Sequence, residues 1–310
     1  MNTKAPTAPK ADVYTRVTNK ILADLEQGVR TWQKPWNPEH AAGHILRPLR
    51  SNGAAYRGIN ILLLWTAALE QGFSSPFWFT FKQAEALGAY VRKGEHGSMV
   101  VYADTFHKTE TKEDTGEEVE KDIPFMKSYT VFNANQIEGL PEHFNPPALP
   151  LPSVTPAEDR NAHLDAFFAH TGANIRHGGN RAFYAIGGDY VQMPPFPAFV
   201  DPEGYYATLA HELTHWTRHP SRLDRDLGRK QWGDEGYAKE ELVAEIGAAF
   251  LCAELGITPD VREDHAAYIA SWLKALKNDK RFIFSAAAHA QRAVDFLLGC
   301  AMPSDQQKAA

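Results

Sequence analysis

The chain has 310 residues, 44% of them hydrophobic and 23% charged, with two cysteines and a formal net charge of −6. This length suffices for two cores, and two cysteines exclude the disulfide framework of a small secreted fold, so a reducing cytoplasm is expected. The opening "MNTKAPTAPKAD" lacks the apolar stretch of a signal peptide, and the run "INILLLWTAAL" is too short to span a bilayer, so no membrane association is expected.

The chain divides into five expected segments: a disordered tail over 1–10, a domain over 11–140, a proline-rich linker over 141–158, a second domain over 159–302 and a tail over 303–310. In the first domain, Val13, Val17, Ile21 and Leu25 keep helical spacing through "DVYTRVTNKILADLEQGV". A second helix is predicted over "GINILLLWTAALEQG". The Thr80-Phe81-Lys82-Gln83 capping box opens a third, which ends at Gly88. "GSMVVYAD" and "KSYTVFNANQ" read as strands flanking the acidic stretch 107–122, an exposed hairpin or mobile loop with 7 acids against 3 bases. The expected fold class is α+β.

Aromatic and basic residues interleave in this first part. Flat rings stack on unpaired bases while Arg and Lys follow phosphates, a combination that suits a single strand better than a duplex. Asn52 and Asn60 can add polar contacts to the backbone of such a strand. The competing role is ordinary packing, and Trp65, Phe77, Phe79 and Phe81 are expected in the core.

The second domain begins with a helix over "DRNAHLDAFFAHTG" and strands at "ANIRHG", "NRAFYAIGG" and "DYVQMP", with "YVQMP" expected as the sheet edge that pairs with an extended substrate. Asp201-Pro202-Glu203 then starts a helix with a cap, a proline and an acid at its positive end. That helix carries His211-Glu212-Leu213-Thr214-His215. Histidines four apart project from one helical face and can grip one Zn²⁺, while Glu212 can take a proton from water held by the ion. A further helix, "YAKEELVAEIGAAFLCAELG", offers Glu241 as third ligand. Glu245 can hold the outer nitrogen of His211 or His215, or exchange roles with Glu241. Glu240 is expected to point away, and Ala244 and Ala248 to let the helices approach closely. Zinc is the default ion for two histidines and a glutamate, although Mn²⁺ or Co²⁺ can occupy the same set. Tyr206, Tyr237, His219 and Arg222 are the candidate oxyanion donors.

"DVYTRVTNKILADLEQGVRTWQKPW", "YRGINILLLW", "FWFTFKQAEALGAYVRKGEHG" and "YTVFNANQIEGL" resemble the N-terminal domain of ArdC-type antirestriction proteins, itself related to part of the plasmid TraC primases. "HELTHWTRHPSRL" with "YAKEELVAEIGAAFLCAELGI" is similar to the zincin-like metallopeptidase domain joined to it in that family. The resemblance implies a protein of mobile elements that binds single-stranded DNA and protects incoming conjugative DNA from restriction. It places metal ligation on His211, His215 and a glutamate of "EELVAE", with Glu212 as the catalytic carboxylate. DNA contacts fall among Trp32, Trp36, Tyr56, Arg57, Trp78, Lys82, Arg92 and Lys93. Tethering to DNA would raise the concentration of protein targets near the cleft, which suits restriction subunits or proteins coating the strand as substrates. The alternatives are a strand-coating protein with a structural or vestigial metal site, and an accessory of plasmid-strand replication.

Overall fold

A computed structural model describes residues 12–27, 46–111, 118–145, 160–228, 234–257 and 266–301. Helix α1 (Val13–Glu26) starts where the Asp12 carboxylate accepts the Thr15 amide at 2.9 Å, and it buries Val17, Ile21, Leu22 and Leu25 along one stripe. Helix α2 (Ile59–Gln71) is buried almost all round and ends on Gly72, whose φ of 69° is the left-handed conformation of a helix stop.

A four-stranded sheet accompanies these helices. Strand β1 (Leu49–Arg50) lies parallel to β2 (Phe77–Phe79), which runs antiparallel to a long hairpin strand. Between them and the hairpin come the short helix α3 (Phe81–Ala86), opened by the expected capping box, and strand β3 (Tyr90–Val91). The hairpin is β4 (Ser98–Thr111) and β5 (Glu118–Asn133), so the sheet order is β1-β2-β5-β4. The strands thus continue through much of the acidic stretch, and only 112–117 of it lie outside the described residues. Strand β6 (Ile137–Glu138) pairs with β3. Phe144 is buried with Phe79, Ala84 and Ile137, and Ser75 donates to its carbonyl at 2.6 Å, so the chain stays in the first core through the opening residues of the expected linker.

The second part starts with α4 (Ala162–His170), then β7 (Asn174–His177), β8 (Phe183–Ala185) and β9 (Tyr190–Met193). Here one expectation is overturned: β9, within "YVQMP", is the central strand, parallel to β7 and antiparallel to β8. The tight turn from β8 back to β9 fills one side of β9 and leaves β8 as a free edge packed against the next helix. That helix is α5 (Pro202–Trp216), capped by Asp201 onto the Gly204 amide. It crosses α6 (Glu235–Leu255), and two helices that the pattern analysis did not single out, α7 (Ala266–Asn278) and α8 (Phe282–Ala301), complete the bundle.

The two parts share one continuous core. Val17 and Ile21 of α1 and Ile61, Leu62 and Trp65 of α2 belong to the same buried cluster as Leu213, Phe250, Trp272 and Val294. Trp65 meets Phe250 edge-on with centroids 5.7 Å apart. Buried Arg47 donates to the Tyr56 carbonyl and to Gln291 Oε1, and it pairs with Glu254. Burial lowers its guanidinium to about 10.

Close approach of α5 and α6 is set at Gly247. A Cβ there would lie 2.6 Å from Thr214 Cγ2. Replacing Gly247 with Ala is expected to lower stability by about 1–3 kcal/mol, outweighing a helix-propensity gain of about 1 kcal/mol. The urea midpoint of Gly247→Ala should therefore fall and recover in the Gly247→Ala/Thr214→Ala double variant; an unchanged single-variant midpoint would show that the crossing has room to spare.

Candidate metal centre

His211 and His215 lie one turn apart on α5, and their Nε2 atoms approach to 3.1 Å. Glu241 of α6 places Oε2 3.5 Å from Nε2 of His211 and Oε1 3.5 Å from Nε2 of His215. These three donors are the described group able to hold a metal ion. An ion about 2.0–2.1 Å from each nitrogen would hold a tetrahedral pair roughly 3.3 Å apart, so the observed spacing fits. At this distance one Nε2 carries a proton that it donates to the other, or an ion takes the place of that proton. The fit is to a divalent ion with two imidazoles and one carboxylate.

The outer nitrogens are occupied by two other acids. Nδ1 of His211 lies 3.4 Å from Glu245, and Nδ1 of His215 is bonded to Glu240 at 3.1 Å. The Glu240 bond favours the His215 tautomer that leaves Nε2 free for an ion. Glu245 lies behind His211, on the side of the ring away from Glu241. Glu240 does not point away. Arg225, from the loop after α5, donates to both Glu240 oxygens at 2.9 and 2.7 Å and to the carbonyl of Thr214, and all these groups are buried. That clamp turns Glu240 onto the far side of the His215 ring. The adjacency of Glu240 to Glu241 and the basic run "SRLDR" were the available signals, but sequence spacing alone does not pair Arg225 with an acid 15 residues later.

Burial alone would raise Glu240, yet Arg225 and His215 hold it down at about 2. Burial would likewise disfavour a charged His215, but Glu241 and Glu240 outweigh it and push the imidazole up to about 10. Burial also works against a charged Glu241, which the two histidines keep well below the usual carboxylate range. A site that holds a proton on His215 this firmly favours a cation generally.

Glu212 is buried beside His211 on α5. Two candidate oxyanion donors are engaged elsewhere: Tyr206 bonds Asp165 and the Asn161 carbonyl, and Arg222 grips Asp189, Tyr184 and the Trp216 carbonyl while stacking on the Trp216 ring. His219 is held by Ser221. Tyr237 stands one turn before Glu241 on α6, on the face that carries Glu241 and Glu245.

The expected DNA residues do not converge on one place. Trp32 and Trp36 lie outside the described residues. Trp78 is 1% exposed and meets Phe73 edge-on, so it is a core residue and offers no face to a base. The reason is that β2 is a central strand with a core on each face, Trp78 in one and Phe79 in the other. Tyr56 is buried with the Arg50 guanidinium over its ring, Arg57 pairs with Asp295, and Arg92 pairs with Glu95. Lys82 and Lys93 are exposed. Asn60 is spent on the protein itself, bonding the amide and carbonyl of Val101. Phe81, expected in the core, is exposed.

Two facing helices that bear a pair of histidines and a glutamate, under a small three-stranded sheet, define a zincin-like unit. Residues 162–289 match the family described as zincin-like metallopeptidase, and residues 11–132 match the N-terminal domain of anti-restriction factor ArdC. The chain belongs to the ArdC antirestriction family. The metal-free crystal structure of antirestriction ArdC protein from the R388 plasmid is 51% identical with a TM-score of 0.79, covering 94% of this chain and 98% of that one. The Mn(II)-bound structure of that protein is 48% identical with a TM-score of 0.77, covering 95% and 100%. Protein y4eC of Sinorhizobium fredii (strain NBRC 101917 / NGR234) is 40% identical over 98% of this chain and 96% of its own length. A DNA primase TraC of Escherichia coli is 42% identical over 93% of this chain, which spans 27% of that primase.

Replacing Glu240 with Gln is expected to weaken metal binding by roughly 10–100-fold, measured by competition with a chromophoric chelator. Because its folded value of about 2 lies below the ordinary 4.5, Glu240 contributes stability that is present above pH 4.5 and lost as pH falls towards 2. Metal-free Glu240→Gln should accordingly show a flatter loss of stability over that interval than metal-free wild type, and identical acid profiles would remove Glu240 from the account.

Proposed function

We propose that this protein is an antirestriction factor that binds single-stranded DNA and hydrolyses a protein with a zinc-dependent site, acting in the cytoplasm on behalf of incoming conjugative DNA. The observation that carries the reading is the convergence of His211, His215 and Glu241 with an acid behind each histidine. Zinc is the ion favoured by this donor set. Bound there, it supplies a Lewis acid for the scissile carbonyl. His211, His215 and Glu241 hold the ion, with Glu241 as ligand and Glu245 and Glu240 orienting the rings.

Glu212 accepts the proton of the attacking water and returns it to the leaving amine. Its burial keeps bulk water from competing for that proton. Tyr237 donates to the developing oxyanion. The edge of β8, which lies against α5, pairs with the extended substrate, and exposed Phe183 on it and Ile186 in the turn that follows favour apolar side chains. Restriction subunits and proteins coating the entering strand are the substrates this reading names. No helix among the described residues is long and apolar enough to cross a membrane.

The match to TraC primases favours a second reading, a strand-coating accessory of replication in which no peptide bond is cut. The two separate on Glu212→Ala. That variant should keep one equivalent of metal by elemental analysis and lose about 10²–10⁴-fold in hydrolysis. In conjugation into a restricting recipient it should fail to protect the transferred DNA; full protection by Glu212→Ala would sink proteolysis as the mechanism and leave strand coating.

A further inference from the structure

Residues paired directly across an antiparallel hairpin share a face, so Val100 with Tyr129, Tyr102 with Lys127 and Asp104 with Phe125 line one side of β4 and β5. The opposite side sends Val101, Met99 and Met126 into the core shared with the C-terminal helices. On the outer side, Val100 and Val131 are sealed under Tyr56 and Trp78, while Tyr102 and Tyr129 stand 49% and 48% exposed with centroids 6.5 Å apart at 74°. Two large rings side by side present a flat aromatic surface on which another ring can stack.

A cavity of about 290 Å³ opens between these tyrosines and the start of α3, lined by Arg50, Tyr56, Thr80 and Gln83 as well. Valines and tyrosines line it together with the polar side chains of Arg50, Asn60, Thr80 and Gln83. Arg50 lies 5.4 Å over the Tyr56 ring, and it forms no ion pair with a described carboxylate, unlike Arg57 and Arg92. Lys127, over the Phe125 ring, adds a second cation to the same face. The nearest acid along β4, Asp104, accepts from the Tyr102 hydroxyl.

A flat heterocycle with a polar rim and a neighbouring phosphate suits these groups. Tyrosine rings supply stacking, the Gln83 side-chain amide N–H and the Thr80 hydroxyl hydrogen, both left over from the capping box, can donate to a base edge, and Arg50 suits a phosphate. A base inside a duplex is covered by its neighbours and its partner, so only an unpaired one can enter. An extended peptide is disfavoured, because the Asn60 side chain already occupies the β4 edge at Val101 with bonds of 2.9 and 2.8 Å, where an added strand would pair.

We propose that this cavity seats one unpaired nucleobase of a single strand, with Tyr102 and Tyr129 against the base and Arg50 on the adjoining phosphate. The assignment rests on the single-strand binding included in the proposed function and gives that activity a place.

The test uses the full chain and a fluorescent fifteen-nucleotide oligothymidine, read by anisotropy across a salt series, with Tyr129→Ala, Arg50→Ala and Arg181→Ala as an exposed control. Tyr129→Ala should weaken binding by about 5- to 150-fold. Arg50→Ala should make the slope of log affinity against log salt shallower by roughly 0.7. Arg181→Ala should match wild type, and the corresponding duplex should bind more weakly than the single strand to wild type. Irradiation with a 5-iodouracil oligonucleotide should attach the strand to Tyr102 or Tyr129. Wild-type binding to the single strand with unaltered affinity in both cavity variants, or attachment confined to other residues, would overturn the seat and leave single-strand binding standing. Absence of single-strand binding by wild type would overturn that reading and the seat with it. All variants are compared at matched far-ultraviolet circular dichroism; should one be misfolded, attachment to the wild-type chain decides.

Discussion

Where α5 passes over α6, the absence of a side chain at Gly247 lets Thr214 settle against the helix backbone. Thr214 is the neighbour of His215, so the same contact that brings the helices together sets the height of the histidine rings above the acids. Nitrogen-to-oxygen separations of 3.1–3.5 Å between the two helices leave little tolerance. A methyl group inserted at the crossing acts on all of them at once. The rest of the C-terminal part can be seen as support for this distance, with the β7–β9 sheet against α5 on one side and α7 and α8 against α6 on the other.

The crossing also decides the electrostatics. Three buried glutamates of α6 face two histidines, and Arg225 enters from the loop to balance one of them. Taking charges out of water is expensive, and such a cluster persists only where each charge meets an opposite one. The Arg225–Glu240 pair is thus a fixed part of the scaffold, while the remaining negative charge faces the histidine nitrogens, where a cation compensates it.

Local chemistry was legible in the amino-acid sequence wherever it acts over a few residues. The Asp201 cap, the Thr80–Gln83 capping box and the four-residue histidine spacing appear where their side chains predict. Long-range choices were less so. Successive helical residues differ by about 100°, which suggested that Glu240 and Glu241 could not serve one site; an imidazole, however, offers nitrogens on opposite sides, and the two acids reach different ones. Chain order makes β9 read as an edge, because it does not reveal that β7 and β8 enclose it. Trp78 resembled a stacking platform because its aromatic neighbours conceal that β2 is covered on both faces. The alternation of strand residues places Tyr102 and Tyr129 on one side of the hairpin, but only the register of β4 against β5 brings them together.

The common core has a bearing on how such a protein can be inherited. Trp65 rests on Phe250, and Arg47 spans from the Tyr56 carbonyl to Glu254 and Gln291, so severing the chain between its parts would leave apolar helix faces bare and a cation stranded. Selection acting on either part therefore acts on the fit of both. Relatives match across 93–98% of the chain, and even within a TraC primase several times longer the two parts remain together. Recombination can carry this pair into a new gene as one cassette far more readily than it can exchange one half for another.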